Sequence, residues 1–223
     1  VFESTSQGDD FVQSSISYSL AANIEKLTLT GSAVSATGNS LANTLTGNAT
    51  GNSLDGGEGL DSLIGGDGND TISGSAGNDF IQGGAGDDTI NKVDETGNDT
   101  VFGGEGNDYV NFTNVTGNKL IYGESGNDSL DGGTGNDTLY GGAGNDTITG
   151  STNVATGDTL AGGEGTDSLT ATFSSVGAAP TVTGMESFAA SFGTSTFLSL
   201  LNVDSTTTAI TADSASSSAV AVT

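Results

Sequence analysis

Gly56-Gly57-Glu58-Gly59-Leu60-Asp61-Ser62-Leu63-Ile64 is followed without a gap by Gly65-Gly66-Asp67-Gly68-Asn69-Asp70-Thr71-Ile72-Ser73. Each nine-residue phrase is a glycine turn, one aspartate and one aliphatic, and it returns as far as residue 170. A short unit repeated at fixed period cannot bury its own apolar side, so it stacks on its neighbours as a solenoid. Alternation within Thr71-Ile72-Ser73 turns one aliphatic inward and its neighbours outward. The inward set is Leu63, Ile72, Ile81, Ile90, Val101, Val110, Ile121, Leu130, Leu139, Ile148, Leu160 and Leu169. The fold class that follows is all-β, built of short stacked strands.

Outward from that stretch the register is clean to residue 91. Lys92-Val93 is then a dipeptide insert, Phe112-Thr113 a second, and Gly150-Ser151-Thr152 a third, of three residues. Twelve copies start from residue 56 on, at Gly56, Gly65, Gly74, Gly83, Asp94, Gly103, Asn114, Gly123, Gly132, Gly141, Asn153 and Gly162. Upstream, residues 38–55 hold two degenerate copies that keep Leu45 and Leu54 but put Asn43 and Asn52 where aspartate belongs. They are expected to keep the coil and to bind metal weakly or not at all. Residues 1–37 read as a β segment: Gly8-Asp9-Asp10-Phe11-Val12-Gln13 matches half a nonapeptide, and Ile16, Tyr18 and Leu20 alternate with polar residues. Residues 171–223 are Ser/Thr/Ala-rich with Phe173, Phe188, Phe192 and Phe197, which reads as a β segment continuing into a longer protein rather than a polar linker. The division expected is therefore 1–37, 38–170 and 171–223.

Charge narrows the function classes. Twenty-eight acids against three bases give a net charge of −25, which repels nucleic acid and anionic membranes and attracts cations. The chain has no cysteine and no histidine, which removes thiolate or imidazole zinc sites and a Ser-His-Asp triad. No run of 18 apolar residues is long enough to span a bilayer. Paired carboxylates also serve glycosidases, but no base or nucleophile accompanies these, and the chain reads as a non-enzyme. It starts without methionine and ends in an apolar run, which reads as a piece excised from something longer, with no signal peptide in view.

One small aliphatic per nine residues is little apolar burial to set against the entropy of ordering nine backbones. Glycines supply a backbone that adopts positive φ and aims carbonyl oxygens at one point; the aspartate adds a carboxylate. Six or more oxygens, several of them neutral carbonyls, are the ligand set of Ca²⁺, and the ion also cancels repulsion between stacked aspartates. Magnesium, which keeps its waters and wants a tight octahedron, matches less well.

The copies closely resemble the RTX repeats of secreted bacterial proteins over residues 38–170. The resemblance implies a right-handed parallel β-roll with two nonapeptides per turn and a calcium ion between copies n and n+2. It also implies ligands from the aspartate carboxylate and from the carbonyls of the first four residues of a copy. Carried over residue by residue, the carboxylates are Asp61, Asp70, Asp79, Asp88, Asp99, Asp108, Asp128, Asp137, Asp146, Asp158 and Asp167. The glycine positions are Gly57, Gly59, Gly66, Gly68, Gly84, Gly86, Gly104, Gly106, Gly133, Gly135, Gly142, Gly144, Gly163 and Gly165. Copy seven departs from the pattern, with Lys119 in the carboxylate position. Two of the n/n+2 pairings lose a carboxylate there, leaving about eight ions. The Asp137/Asp158 pairing is doubtful because the copy starting at Asn153 lacks its glycine pair. The Lys119 ammonium is expected beside the vacated position, where it replaces part of the missing charge; the bland alternative is a solvated lysine in a loosened turn.

Alternate copies face opposite sheets. One set presents Ile64, Phe80, Phe102, Leu120, Tyr122 and Tyr140 outward; the other presents Thr71, Ser73, Thr89, Asn91, Asp131, Thr147 and Thr149, with Tyr109 the exception. An apolar stripe of this kind is expected to pack on another module, on the terminal segments or on a neighbouring subunit, provided the inserts do not shift the register. The repeats, followed by Gly184-Met185-Glu186-Ser187-Phe188 and a Ser/Thr/Ala region, are also similar to RTX-type S-layer proteins. That resemblance implies export by a type I system, folding delayed until calcium is met outside the cell, and a structural cell-surface role. An RTX adhesin module, or the RTX region of a secreted enzyme or toxin, remain the alternatives.

Overall fold

The computed structural model describes residues 8–91, 96–150, 157–173, 180–192, 198–200, 209–212 and 220–222. Every strand pair among them is parallel, and no helix is present among the described residues. The first sheet stacks Phe11–Ser14, Lys26–Leu29, Thr44–Thr46, Ser62–Asp67, Phe80–Ala85, Thr100–Glu105, Leu120–Ser125, Thr138–Ala143, Thr159–Glu164 and Thr181–Thr183. The second stacks Tyr18–Ser19, Ser35–Thr37, Ser53–Asp55, Thr71–Ser73, Thr89–Asn91, Tyr109–Asn111, Ser129–Asp131, Thr147–Gly150, Ser168–Phe173, Ser187–Phe192 and Ala209–Ala212. The chain visits the two sheets alternately, so two nonapeptides make one turn. Leu198–Leu200 and Val220–Val222 pair with each other in a separate two-stranded sheet.

The inserts leave the ladder in register. Leu63 stands beside Ile81, Ile81 beside Val101, Val101 beside Ile121 and Ile121 beside Leu139. The spacing between stacked turns stretches from 18 residues to 20 and later 21, and the turns absorb the difference. All twelve inward aliphatics are at most 2% exposed. Phe112, which reads from sequence as part of a bare insert, is itself a core residue with no exposure; its N–H donates to the Asp131 carbonyl one turn on. The insert Lys92-Val93, the insert residues Ser151 and Thr152, the copy starts at Asp94 and Asn153, and Phe197 lie outside the described residues.

The same two ladders run through residues 37/38 and 170/171. Lys26–Leu29 pairs with Thr44–Thr46 on one side, and Ser168–Phe173 pairs with Ser187–Phe192 on the other. The outer faces differ as the alternation requires. Ile64, Gln82, Phe102, Tyr122 and Tyr140 are neighbours along one row of the first sheet. Phe102 and Tyr122 stack at 5.0 Å between ring centroids, as do Tyr122 and Tyr140, and Phe80 leans on Phe102 at 5.6 Å. The second sheet shows Asn91, Asn111, Asp131 and Thr149 in the corresponding row, with Thr89, Tyr109, Ser129 and Thr147 in the row on the other side of the inward aliphatics. No helix among the described residues is long and apolar enough to cross a membrane.

Candidate metal centre

Turns from the first sheet to the second form one edge of the roll and carry Asp70, Asp88, Asp108, Asp128, Asp146 and Asp167. Return turns form the other and carry Asp61, Asp79, Asp99, Lys119, Asp137 and Asp158. All eleven expected carboxylates are buried, from 0% exposure at Asp167 to 7% at Asp158. Each accepts a backbone N–H from the residue in the same position one turn earlier, Asp137 from Lys119 itself at 2.8 Å. Thus the Asp70 N–H donates to Asp88 Oδ1 at 2.7 Å, Asp88 to Asp108 at 2.8 Å, Asp108 to Asp128 at 2.8 Å and Asp128 to Asp146 at 2.8 Å. On the other edge Asp61 donates to Asp79 at 3.0 Å and Asp137 to Asp158 at 2.8 Å, so the doubtful pairing keeps the same backbone link.

One oxygen of each carboxylate is thereby used. Oδ2 of Asp70, Asp88, Asp108, Asp128, Asp146 and Asp167 is buried with no hydrogen-bond partner. A buried acceptor left this way costs about 1–3 kcal/mol, more when charged. The carboxyls register it: burial pushes Asp70, Asp88 and Asp108 up to about 6 and Asp128 up to about 7. The N–H bond from the preceding turn pulls each back, and neighbouring carboxylates push again. Asp137 also rises to about 6, chiefly by burial, while the Lys119 N–H and ammonium lower it.

Glycine brings the oxygens together. A Cβ on Gly65 would overlap both the Asp70 carboxylate and the Gly83 carbonyl of the next turn, and Gly83, Gly103, Gly123 and Gly141 repeat the arrangement. The glycines expected to turn carbonyls toward the ion all have positive φ, from 82° at Gly133 to 153° at Gly135. Sequence reading missed Gly77, Gly117 and Gly126, which hold the same conformation in the same column of the repeat, and Ser75 and Glu124, which hold it without being glycine (φ 57° and 76°). Among the described residues no three acidic side chains converge on one point. An ion here takes its remaining ligands from carbonyl oxygens and water, a hard all-oxygen set that fits Ca²⁺.

Lys119 and the two asparagines fill the same need by other means. Lys119 is 2% exposed and its ammonium donates to the carbonyls of Gly97 at 2.7 Å, Gly117 at 2.9 Å and Thr116 at 3.0 Å. Asp99 Oδ2 lies 3.9 Å from it, and the Phe112 ring centroid 5.6 Å. The expected tethered charge is in place, and the solvated-lysine alternative is not what forms. At Asn43 and Asn52 the amide Nδ2 donates to carbonyls of the preceding turn, those of Ile24 and Ala33. Replacing a carboxylate by an amide thus puts a donor where an ion would otherwise be needed.

A family model of four RTX calcium-binding nonapeptide repeats matches residues 37–72, 64–91, 93–113, 121–152 and 155–172, together more than half of the chain. The gap between 113 and 121 falls on the copy that carries Lys119. No curated protein matches the chain.

Proposed function

The chain belongs to the RTX calcium-binding repeat family, and from that premise we propose that it is a calcium-dependent, non-enzymatic structural protein of the bacterial cell surface. The reading goes on to a self-assembling S-layer component in which calcium supplies folding and rigidity after type I secretion. Proteins of this family are typically secreted by bacteria, and extracellular modules bind calcium in roughly the 10⁻⁴–10⁻³ M range. A chain of charge −25 with buried, unneutralised carboxylates resists folding where calcium is scarce and folds where it is abundant.

The observation that carries the reading is the stacked carboxylate edge from Asp70 to Asp167, with buried Oδ2 atoms that no protein group satisfies. The surface role rests on the aromatic row of the first sheet. Phe80 is 41% exposed and Tyr140 37%, and with Phe102 and Tyr122 between them they make a continuous apolar ridge on a sheet face. Such a ridge is suited to packing against a second copy. Calcium titration followed by light scattering tests the proposal. Folding followed by growth of large particles that dissolve in EGTA is expected. Folding that ends in stable monomers contradicts the assembly and favours an adhesin-type module.

A further inference from the structure

The edge that carries Asp70 to Asp167 does not stop where the nonapeptides stop. One turn beyond Asp167, the strand Thr181–Thr183 leads through Gly184, Met185 and Glu186 into Ser187–Phe192. This three-residue turn has none of the glycine-aspartate pattern, and its acid is a glutamate. Its geometry nonetheless repeats the sites below it. The Asp167 N–H donates to Glu186 Oε2 at 2.6 Å, as every earlier aspartate N–H on this edge donates to the carboxylate of the next turn. The carbonyl of Gly184 takes the place held elsewhere by the first glycine of the next copy: a Cβ on Gly162 would overlap it and the Asp167 carboxylate together. Asp167 has no exposure at all, and its Oδ2 has no hydrogen-bond partner.

We propose that Asp167, Glu186 and the Gly184 carbonyl form a further Ca²⁺ site, outside the nonapeptides, that fastens the Ser/Thr/Ala-rich segment to the end of the roll. The longer glutamate side chain spans the distance that a six-residue turn covers in the regular copies. The shorter turn supplies fewer carbonyls, so water completes the ion's shell. The strand held by this ion is Ser187–Phe192, which continues the second sheet to Ala209–Ala212. Calcium therefore orders the start of the tail as well as the repeats.

The inference rests on the calcium reading of the roll, and one experiment separates the two. Calcium bound per chain is counted by calorimetry in the full chain, in Glu186→Gln and in Glu186→Lys. Glutamine keeps an acceptor for the Asp167 N–H and removes the charge. Lysine supplies a tethered ammonium in the manner of Lys119, and is read if the glutamine variant does not fold. Each variant is expected to bind one ion fewer than the unmodified chain. Hydrogen-exchange protection of Ser187–Phe192 in saturating calcium is expected to fall at least tenfold while that of Ser129–Asp131 stays unchanged. Equal ion counts with equal protection overturn the proposal. An unmodified chain that binds no calcium overturns the calcium reading itself.

Discussion

Lys119 is one of three basic residues in the chain and is buried where repeats above and below it place aspartates. Its three carbonyl acceptors and Asp99 form a donor set suited to a cation, and a covalently attached ammonium occupies it. Removing one partner of a buried charge pair leaves the other uncompensated, at about 3–5 kcal/mol. Lys119→Met should therefore lower the thermal midpoint in saturating calcium without changing the ion count. Lys119→Asp restores a carboxylate in both pairings of this position and should add two ions, counted by native mass spectrometry; an unchanged count contradicts the role given to Lys119. The buried aspartates make a second prediction. In the calcium-free roll, Asp70, Asp88, Asp108 and Asp128 hold protons up to about pH 6–7 that the unfolded chain gives up near 3.8. Between those values the folded state binds more protons, so its stability falls as pH rises through this window. Circular dichroism in EGTA should show more β structure at pH 4 than at pH 7. Calcium affinity should move the opposite way, since the ion needs the deprotonated carboxylate. Equal spectra at both pH values contradict the pKa assignment.

Among the elements, the strands with a strict inward aliphatic were legible from the nonapeptide alone, because period two and period nine together decide which side chain is buried. The alternation of polar and aromatic faces was legible for the same reason. Phe112 was not, because an insert has no place in the repeat, and only the stacked turn shows that its ring closes the core beneath the Lys119 ammonium. Glu186 was missed because its turn has three residues where the motif has six; the single sign in the sequence is an acid followed by alternating Ser187-Phe188. The continuity of both sheets through residues 37 and 170 was hidden by composition, since polar strands pair through their backbones as well as glycine-rich ones do. On the outer face of the first sheet, Tyr122 stacks on both Phe102 and Tyr140. Tyr122→Ser breaks that row without touching a carboxylate or a core aliphatic. Its calcium midpoint for folding should match the unmodified chain within twofold, while calcium-induced scattering drops severalfold. Loss of folding and scattering together would assign the row to stability instead of contact.

Among the described residues the two long sheets form a stack in which each strand pairs with the strands of the turns above and below, so stability is set turn by turn and charge accumulates along two lines. One line is continuous from Asp70 through Asp167 to Glu186; the other breaks at Lys119. A crystal of the unmodified chain grown in calcium gives the most direct test, through anomalous scattering from the ions. Two rows of peaks are expected along the two edges, unbroken on the Asp70–Asp167 edge and interrupted at Lys119 on the other. Absence of peaks along the edges, or a peak in contact with the Lys119 ammonium, would contradict the account.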